Sequence, residues 1–280
     1  MSTDSARRNS AQQQWKVWRE QRSETISEPY GPLALTGTYW LSDAPEGRIP
    51  DVPGRWTEDG DAVLLQADPD SGPTGPTGST DPTALTVSGQ PLNGEVRLGA
   101  DAAGPDAARV AHGERRLVVL RREGLWAVRV FDPLSAGRRA FAGIDAFEYD
   151  ERWALPAVFR PYGEDRTVQV PDADGRARGL GLGGELVFRA DGGEHTLAAA
   201  VEADGSLWIV LADATSGNDS YRFRFLRPPA PAADGSVTVD FNRTLLPPCA
   251  FAEHFICPFP PPGNTLPFAL RAGERNVLTR

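Results

Sequence analysis

Trp15, Trp18, Arg22 and Ile26 recur at steps of three and four within residues 11–26. That spacing lays them on one side of a helix and predicts a short amphipathic helix with a narrow apolar stripe. Its aromatic residues are expected to dock it on the first β domain that follows. After Pro29 the helical period disappears and short apolar runs take over. Strands are predicted at Ala62–Gln66, Thr83–Val87, Glu95–Leu98, Arg116–Arg121 and Leu125–Phe131, the last two joined by the turn Arg122-Glu123-Gly124. Ser71–Pro82, rich in Thr, Gly and Pro, reads as a loop.

A second set of strands begins near Phe147. It comprises Ala157–Arg160, Thr167–Val170, Glu185–Arg189, Thr196–Val201, Leu207–Leu211, Tyr221–Leu226 and Val237–Phe241. Asp191-Gly192-Gly193 and Asp204-Gly205 supply the left-handed residues that hairpin turns require. Tyr221, Phe223 and Phe225 alternate with Arg222 and Arg224, so one face is apolar and the other carries guanidinium groups. Beyond Phe241 periodicity stops. Seven prolines between Pro247 and Pro267 forbid a helix interior or a central strand. The same stretch holds Cys249, Phe251, Phe255, Ile256, Phe259, Leu266 and Phe268, too apolar for a free tail. It is expected to lie across the second β domain as an extended wrap.

The fold class is therefore mainly β, with two antiparallel sandwich-like or barrel-like units. Residues 1–27 form a tail and helix, 28–135 an N-terminal β-sandwich, and 136–280 a C-terminal β domain with its proline-rich wrap.

Composition narrows the chemistry. The 280 residues are 40% hydrophobic and 24% charged, as in ordinary globular proteins. A net charge of -9 offers no basic face for nucleic acid or for an anionic membrane surface. The first 14 residues are mostly polar, without the apolar segment of a secretory signal, and no apolar run is long enough to span a membrane. Two cysteines do not make a disulfide scaffold. A soluble, cytoplasmic protein is expected. Among the 29 basic residues only Lys16 is a lysine, and its surroundings match no imine-forming, P-loop or kinase motif. No cofactor is expected.

Two motifs invite chemistry. Gly179-Leu180-Gly181-Leu182-Gly183-Gly184 has dinucleotide-binding spacing, but a polar turn is expected before it and a strand after it, where that site needs a strand and then a helix. Cys249, His254 and Cys257 could hold zinc, yet no fourth ligand is evident and the spacing is not a standard one. Cys249 and Cys257 read better as a structural pair, as buried thiols or a disulfide. His112 and His195 read as surface or capping residues.

The C-terminal residues resemble a known family. Asp240-Phe241-Asn242-Arg243, Pro247-Pro248-Cys249-Ala250-Phe251, Cys257-Pro258, Asn264, Leu266-Pro267 and Arg271-Ala272-Gly273-Glu274 look like domain-of-unknown-function family sixteen eighty-four, found in bacteria and archaea. Asp213-Ala214-Thr215-Ser216-Gly217, Tyr221, Arg224-Phe225-Leu226, Phe159-Arg160-Pro161-Tyr162 and Gly184-Glu185-Leu186 fit the same pattern, over about residues 138–275. Trp18-Arg19, Gly31-Pro32-Leu33 and Tyr39-Trp40-Leu41 resemble the family's opening. That family often continues with a glycine-serine-aspartate stretch like that of forkhead-associated phosphopeptide modules. Residues 44–49 stand in its place and lack it, although 87–92 would suit such a sandwich. The resemblance implies no activity.

Polar residues gather in the same C-terminal region: Asp213, Thr215, Ser216, Tyr221, Arg224, Asp240, Asn242, Arg243, Asn264, Arg271 and Glu274. They are candidates for a ligand pocket at the strand ends. There Arg224 and Arg271 would grip an anionic or carbonyl group, and Asp240 or Glu274 would orient them. The competing reading is structural: Asp213 and Asn242 capping turns, and Arg224–Asp240 and Arg271–Glu274 pairs fixing the wrap. Three functions follow: a small-molecule-binding β protein that could be an enzyme, a non-catalytic protein-interaction module resting on the N-terminal sandwich, or a zinc-dependent role through Cys249, His254 and Cys257.

Overall fold

A computed structural model describes residues 3–68 and 84–280. The predicted loop Ser71–Pro82 and the first residue of the predicted strand Thr83–Val87 lie outside the described residues. The chain divides into two compact units, residues 26–140 and residues 1–25 with 141–280. Both are antiparallel β structures.

The first unit holds two sheets. One runs in the order β1 (Leu35–Trp40), β9 (Leu125–Phe131), β8 (Arg115–Arg122), β7 (Val110–His112), β4 (Leu85–Val87), β5 (Gln90–Pro91); the other is β2 (Arg55–Asp59), β3 (Ala62–Gln66), β6 (Glu95–Leu98). Alternate residues of each sheet share one core. Trp56 and Leu65 come from the smaller sheet, and Leu117, Val119, Trp126 and Val128 from the larger. The β8–β9 turn is as expected, with Glu123 and Gly124 both at positive φ.

The second unit carries a six-stranded sheet in the order β15 (Arg224–Leu226), β14 (Leu207–Leu211), β13 (Gly193–Val201), β12 (Ala177–Ala190), β11 (Ala154–Pro171), β16 (Ser236–Asp240). Beside it β10 (Phe141–Ala146) pairs with β17 (Glu274–Thr279). Helix α1 (Thr3–Ser27) is longer than its stripe suggested. Its docking corrects the sequence reading. The helix packs on this C-terminal unit, where Trp15 Nε1 donates to the Asn242 carbonyl at 2.8 Å and Arg19 to the Ile144 carbonyl at 2.8 Å. An apolar stripe shows that a face is buried without naming what covers it.

Two long strands replace three predicted short ones. Gly179–Gly184 lies inside β12, entered as expected from the turn at Asp172–Arg176 and continued as strand, so no helix follows the glycines. Glycine is needed there for room. A Cβ at Gly184 would lie 2.5 Å from the Arg160 carbonyl oxygen and 2.4 Å from the Phe159 ring, and one at Gly183 2.7 Å from Val201. The predicted strand Tyr221–Leu226 pairs only over Arg224–Leu226, and β17 was not foreseen.

The proline-rich segment is packed against the sheet. Phe225 and Leu245 exchange backbone hydrogen bonds of 2.8 and 2.7 Å. Phe259 N–H donates to Pro171 and Ala173 N–H to Cys257, each at 2.9 Å, while Leu266 N–H donates to Ala212 at 2.9 Å. Leu266, Phe268, Leu270 and Ala272 enter the main core with Leu207 and Ile209. Cys249 and Cys257 pack with Val210, Phe223 and Phe225 on the sheet's other face. Proline removes donors, so this stretch is held by isolated bonds where its remaining amides meet strand carbonyls.

Candidate functional site

Arg224 follows the alternation of its strand away from Phe223 and Phe225, yet it does not reach solvent. Its side chain is 0% exposed. One terminal nitrogen donates to the carbonyls of Ala272 at 2.6 Å and Glu274 at 3.1 Å; the other donates to Asp213 Oδ2 at 2.7 Å and the Leu270 carbonyl at 3.0 Å. Asp213, also 0% exposed, accepts through Oδ1 from the amides of Thr215 at 2.8 Å and Leu270 at 3.1 Å. The partner of Arg224 is therefore Asp213, across the turn that precedes its own strand, rather than Asp240. Arginine suits the position because its planar fork satisfies several carbonyls at once while keeping its charge. The pair holds residues 270–274 in place.

The other candidates divide the same work. Asn242 is buried; its Nδ2 donates to the Asp150 carbonyl at 2.9 Å and to Asp240 at 2.9 Å, and its Oδ1 accepts the Asp150 amide at 3.1 Å. Asp240 also caps the Asn242 amide at 3.0 Å and meets Arg243 at 3.4 Å. Asn264 sits where β13 and β14 part. It donates to the carbonyls of Ala198 and Val210 at 2.8 and 2.9 Å and accepts the Ala198 amide at 2.8 Å. Thr215 and Ser220 share a buried hydroxyl contact of 2.8 Å, and Ser216 accepts the Asp213 amide at 3.1 Å. Glu274 meets Arg22 of α1 at 3.2 Å and accepts the Leu246 amide at 2.6 Å. Burial pushes its carboxyl up from the usual range, against the pull of Arg22 and that amide. Arg271, 63% exposed, meets Asp219 at 3.1 Å, not Glu274.

These fixings set the two walls of an open cleft of about 750 Å³. Asn242 anchors one wall at Asp150, within the segment Phe147–Trp153; Arg224 and Asp213 anchor the other, carrying Ala269 and Arg271. Phe147, Tyr149 and Trp153 are half-buried. Trp153 stacks on Phe268 with ring centres 6.2 Å apart, and Tyr149 leans on Trp15 of α1 at 5.7 Å. Glu148 and Glu151 are exposed beside them. Hydrogen bonds from Arg152 hold Asp150 below the usual carboxylate range. Burial, with Asp240 and Glu151 nearby, pushes the Tyr149 phenol up. The cleft thus offers aromatic faces, carboxylates and two accessible guanidiniums, those of Arg152 and Arg271. Its size and mixed lining suit a small molecule.

Of the candidates read from sequence, Arg271 lines this cleft, while Asp213, Arg224, Asp240, Asn242 and Asn264 hold backbone. Phe147, Glu148, Tyr149, Arg152 and Trp153 were missed. Their signal was a seven-residue run made wholly of aromatic and charged side chains outside any clean strand period.

Cys249 and Cys257 lie together as buried thiols not joined in a disulfide. The Cys249 amide donates to Cys257 Sγ at 3.3 Å, and the Tyr221 hydroxyl donates to the Cys249 carbonyl at 3.3 Å and its sulfur at 3.7 Å. A hydrogen bond from Cys257 lowers the Cys249 thiol to about 7 against the effect of burial, helped by Tyr221 and Arg222. Burial and the neighbouring sulfur push Tyr221 up to about 12. His254 is exposed, and among the described residues no three His, Cys, Asp or Glu side chains are grouped to hold a metal.

Comparison with known proteins agrees with the C-terminal resemblance. The second unit defines a β domain of a family whose function is unknown: the family described as Protein of unknown function (DUF1684) matches residues 139–275. The chain belongs to that family. A solved structure is also similar, that of an uncharacterised protein of Haloarcula marismortui determined by solution NMR. It is 31% identical, the match covers 48% of this chain and 77% of that one, and the TM-score is 0.41. Comparison with curated proteins gives no match. Among the described residues no helix is long and apolar enough to cross a membrane.

Proposed function

We propose that the C-terminal unit binds a small molecule in the cleft between Phe147–Trp153 and Ala269–Arg271. The ligand would present a flat or apolar face to Phe147, Tyr149 and Trp153 and an anionic or carbonyl group to Arg271. The observation that carries the reading is the convergence of these groups on walls fixed by buried polar residues. Preorganised walls lower the entropy cost of binding. Arg271 can exchange its exposed partner Asp219 for a ligand at little cost, because exposed ion pairs contribute about 0–1 kcal/mol. A cytoplasmic setting goes with this reading, supported by Cys249 and Cys257 being thiols rather than a disulfide.

The test is a thermal-shift screen of the full chain against a metabolite library. At least one carboxylate, phosphate or carbonyl compound with an apolar face is expected to raise Tm in the wild type and to do so much less in Arg271→Ala. A library without hits, or hits that stabilise Arg271→Ala equally, would remove this reading.

A further inference from the structure

The thiol pair lies outside the cleft, and nothing in the proposed binding uses it. Cys249 and Cys257 touch, since an amide of one donates to the sulfur of the other at 3.3 Å. Both are less than a tenth exposed. Arg222, an exposed side chain, spreads its guanidinium over the rings of Tyr221 at 5.7 Å and Phe259 at 4.7 Å, both of which pack against the pair. A thiolate at Cys249 would be met by a guanidinium, a phenol donor and a neighbouring thiol. Such a setting is that of a reactive cysteine rather than of an inert core thiol. The pair packs among apolar residues, Phe223, Phe225 and Val210 among them, and little of either sulfur-bearing side chain reaches solvent.

We propose that Cys249 is a peroxide-reactive thiolate and that Cys257 resolves its oxidised form to a disulfide. The Cys249 sulfur attacks one oxygen of hydrogen peroxide. The O–O bond breaks, and the departing hydroxide takes a proton to become water, leaving a sulfenic acid on Cys249. The Cys257 sulfur then attacks the Cys249 sulfur. The S–O bond breaks, and the hydroxyl leaves as water with the proton from Cys257. Two thiols lose two electrons in all, and peroxide is reduced to two waters. Arg222 acts as a positioning residue, holding the negative charge on Cys249 without touching the oxidant's product. A cellular thiol would return the pair to its reduced form.

The experiment treats the reduced full-length protein with stoichiometric hydrogen peroxide at neutral pH and follows free thiols and intact mass. Both thiols should disappear together, with the mass falling by two hydrogens and dithiothreitol restoring it. Cys257→Ser should stop at a sulfenic acid that dimedone traps on Cys249. Arg222→Ala, an exposed substitution, should react about tenfold more slowly at neutral pH because less of Cys249 is ionised. Glutathione disulfide should react far more slowly than peroxide. Thiols that survive peroxide, oxygen adducts without a disulfide in the wild type, an unchanged rate in Arg222→Ala, or equal reactivity towards glutathione disulfide would each overturn the proposal.

Discussion

Arg224→Ala is expected to destabilise the C-terminal unit by about 3–5 kcal/mol, the usual cost of breaking a buried ion pair from one side. The substitution leaves Asp213 charged and 0% exposed, with only the amides of Thr215 and Leu270 to hold it. It also strips the donor from the carbonyls of Leu270, Ala272 and Glu274. Adding Asp213→Asn should recover only part of the loss, because the three carbonyls stay unsatisfied. Arg224→Lys should fall between, since one ammonium cannot fork to all four acceptors. Urea denaturation gives the total. Native-state hydrogen exchange at Leu270 and Glu274 locates it, and unchanged protection there would count against the assignment.

Gly273→Ala is the second large effect, at about 2–5 kcal/mol. Gly273 sits at φ +77°, where an L-residue costs roughly 1–2 kcal/mol. Its new Cβ would lie 2.6 Å from the Thr244 carbonyl oxygen and 3.0 Å from that of Phe241, and relieving such overpacking costs typically about 1–3 kcal/mol. The strain reaches the cleft, because the Gly273 carbonyl accepts the Phe147 amide at 3.0 Å. Gly273→Ala should therefore weaken ligand uptake as well as stability. A denaturation midpoint within error of wild type would show that the backbone can move there freely.

Much of the fold was legible where side chains alternate against a single core. β3, β6, β9 and β14 fall on the predicted residues because each is a short, largely apolar run bounded by turn or charged residues. The long strands β11 and β12 were not legible. Glycine reads as a break in one sequence, and only the neighbouring Phe159 and Val201 rings and methyls show that the missing side chains make room. β17 was hidden because its partner β10 lies over a hundred residues earlier.

The candidate site was half legible. Sequence located a polar cluster in a segment too apolar to be free, and that segment is packed down. It could not assign partners. Arg224 had Asp213 and Asp240 both within reach in sequence, and only the turn geometry chooses Asp213. Buried polar residues that fix backbone and exposed ones that meet a ligand share a composition; burial separates them. By that measure Arg224 and Arg271 are unlike, at 0% and 63% exposure.

That contrast is the most direct test. Denaturation and ligand uptake are measured for Arg224→Ala and Arg271→Ala beside wild type. Arg271→Ala should keep its stability within about 0.5 kcal/mol, as surface substitutions do, and lose binding, while Arg224→Ala loses stability first. An Arg224→Ala protein as stable as wild type that fails only in binding would contradict the account.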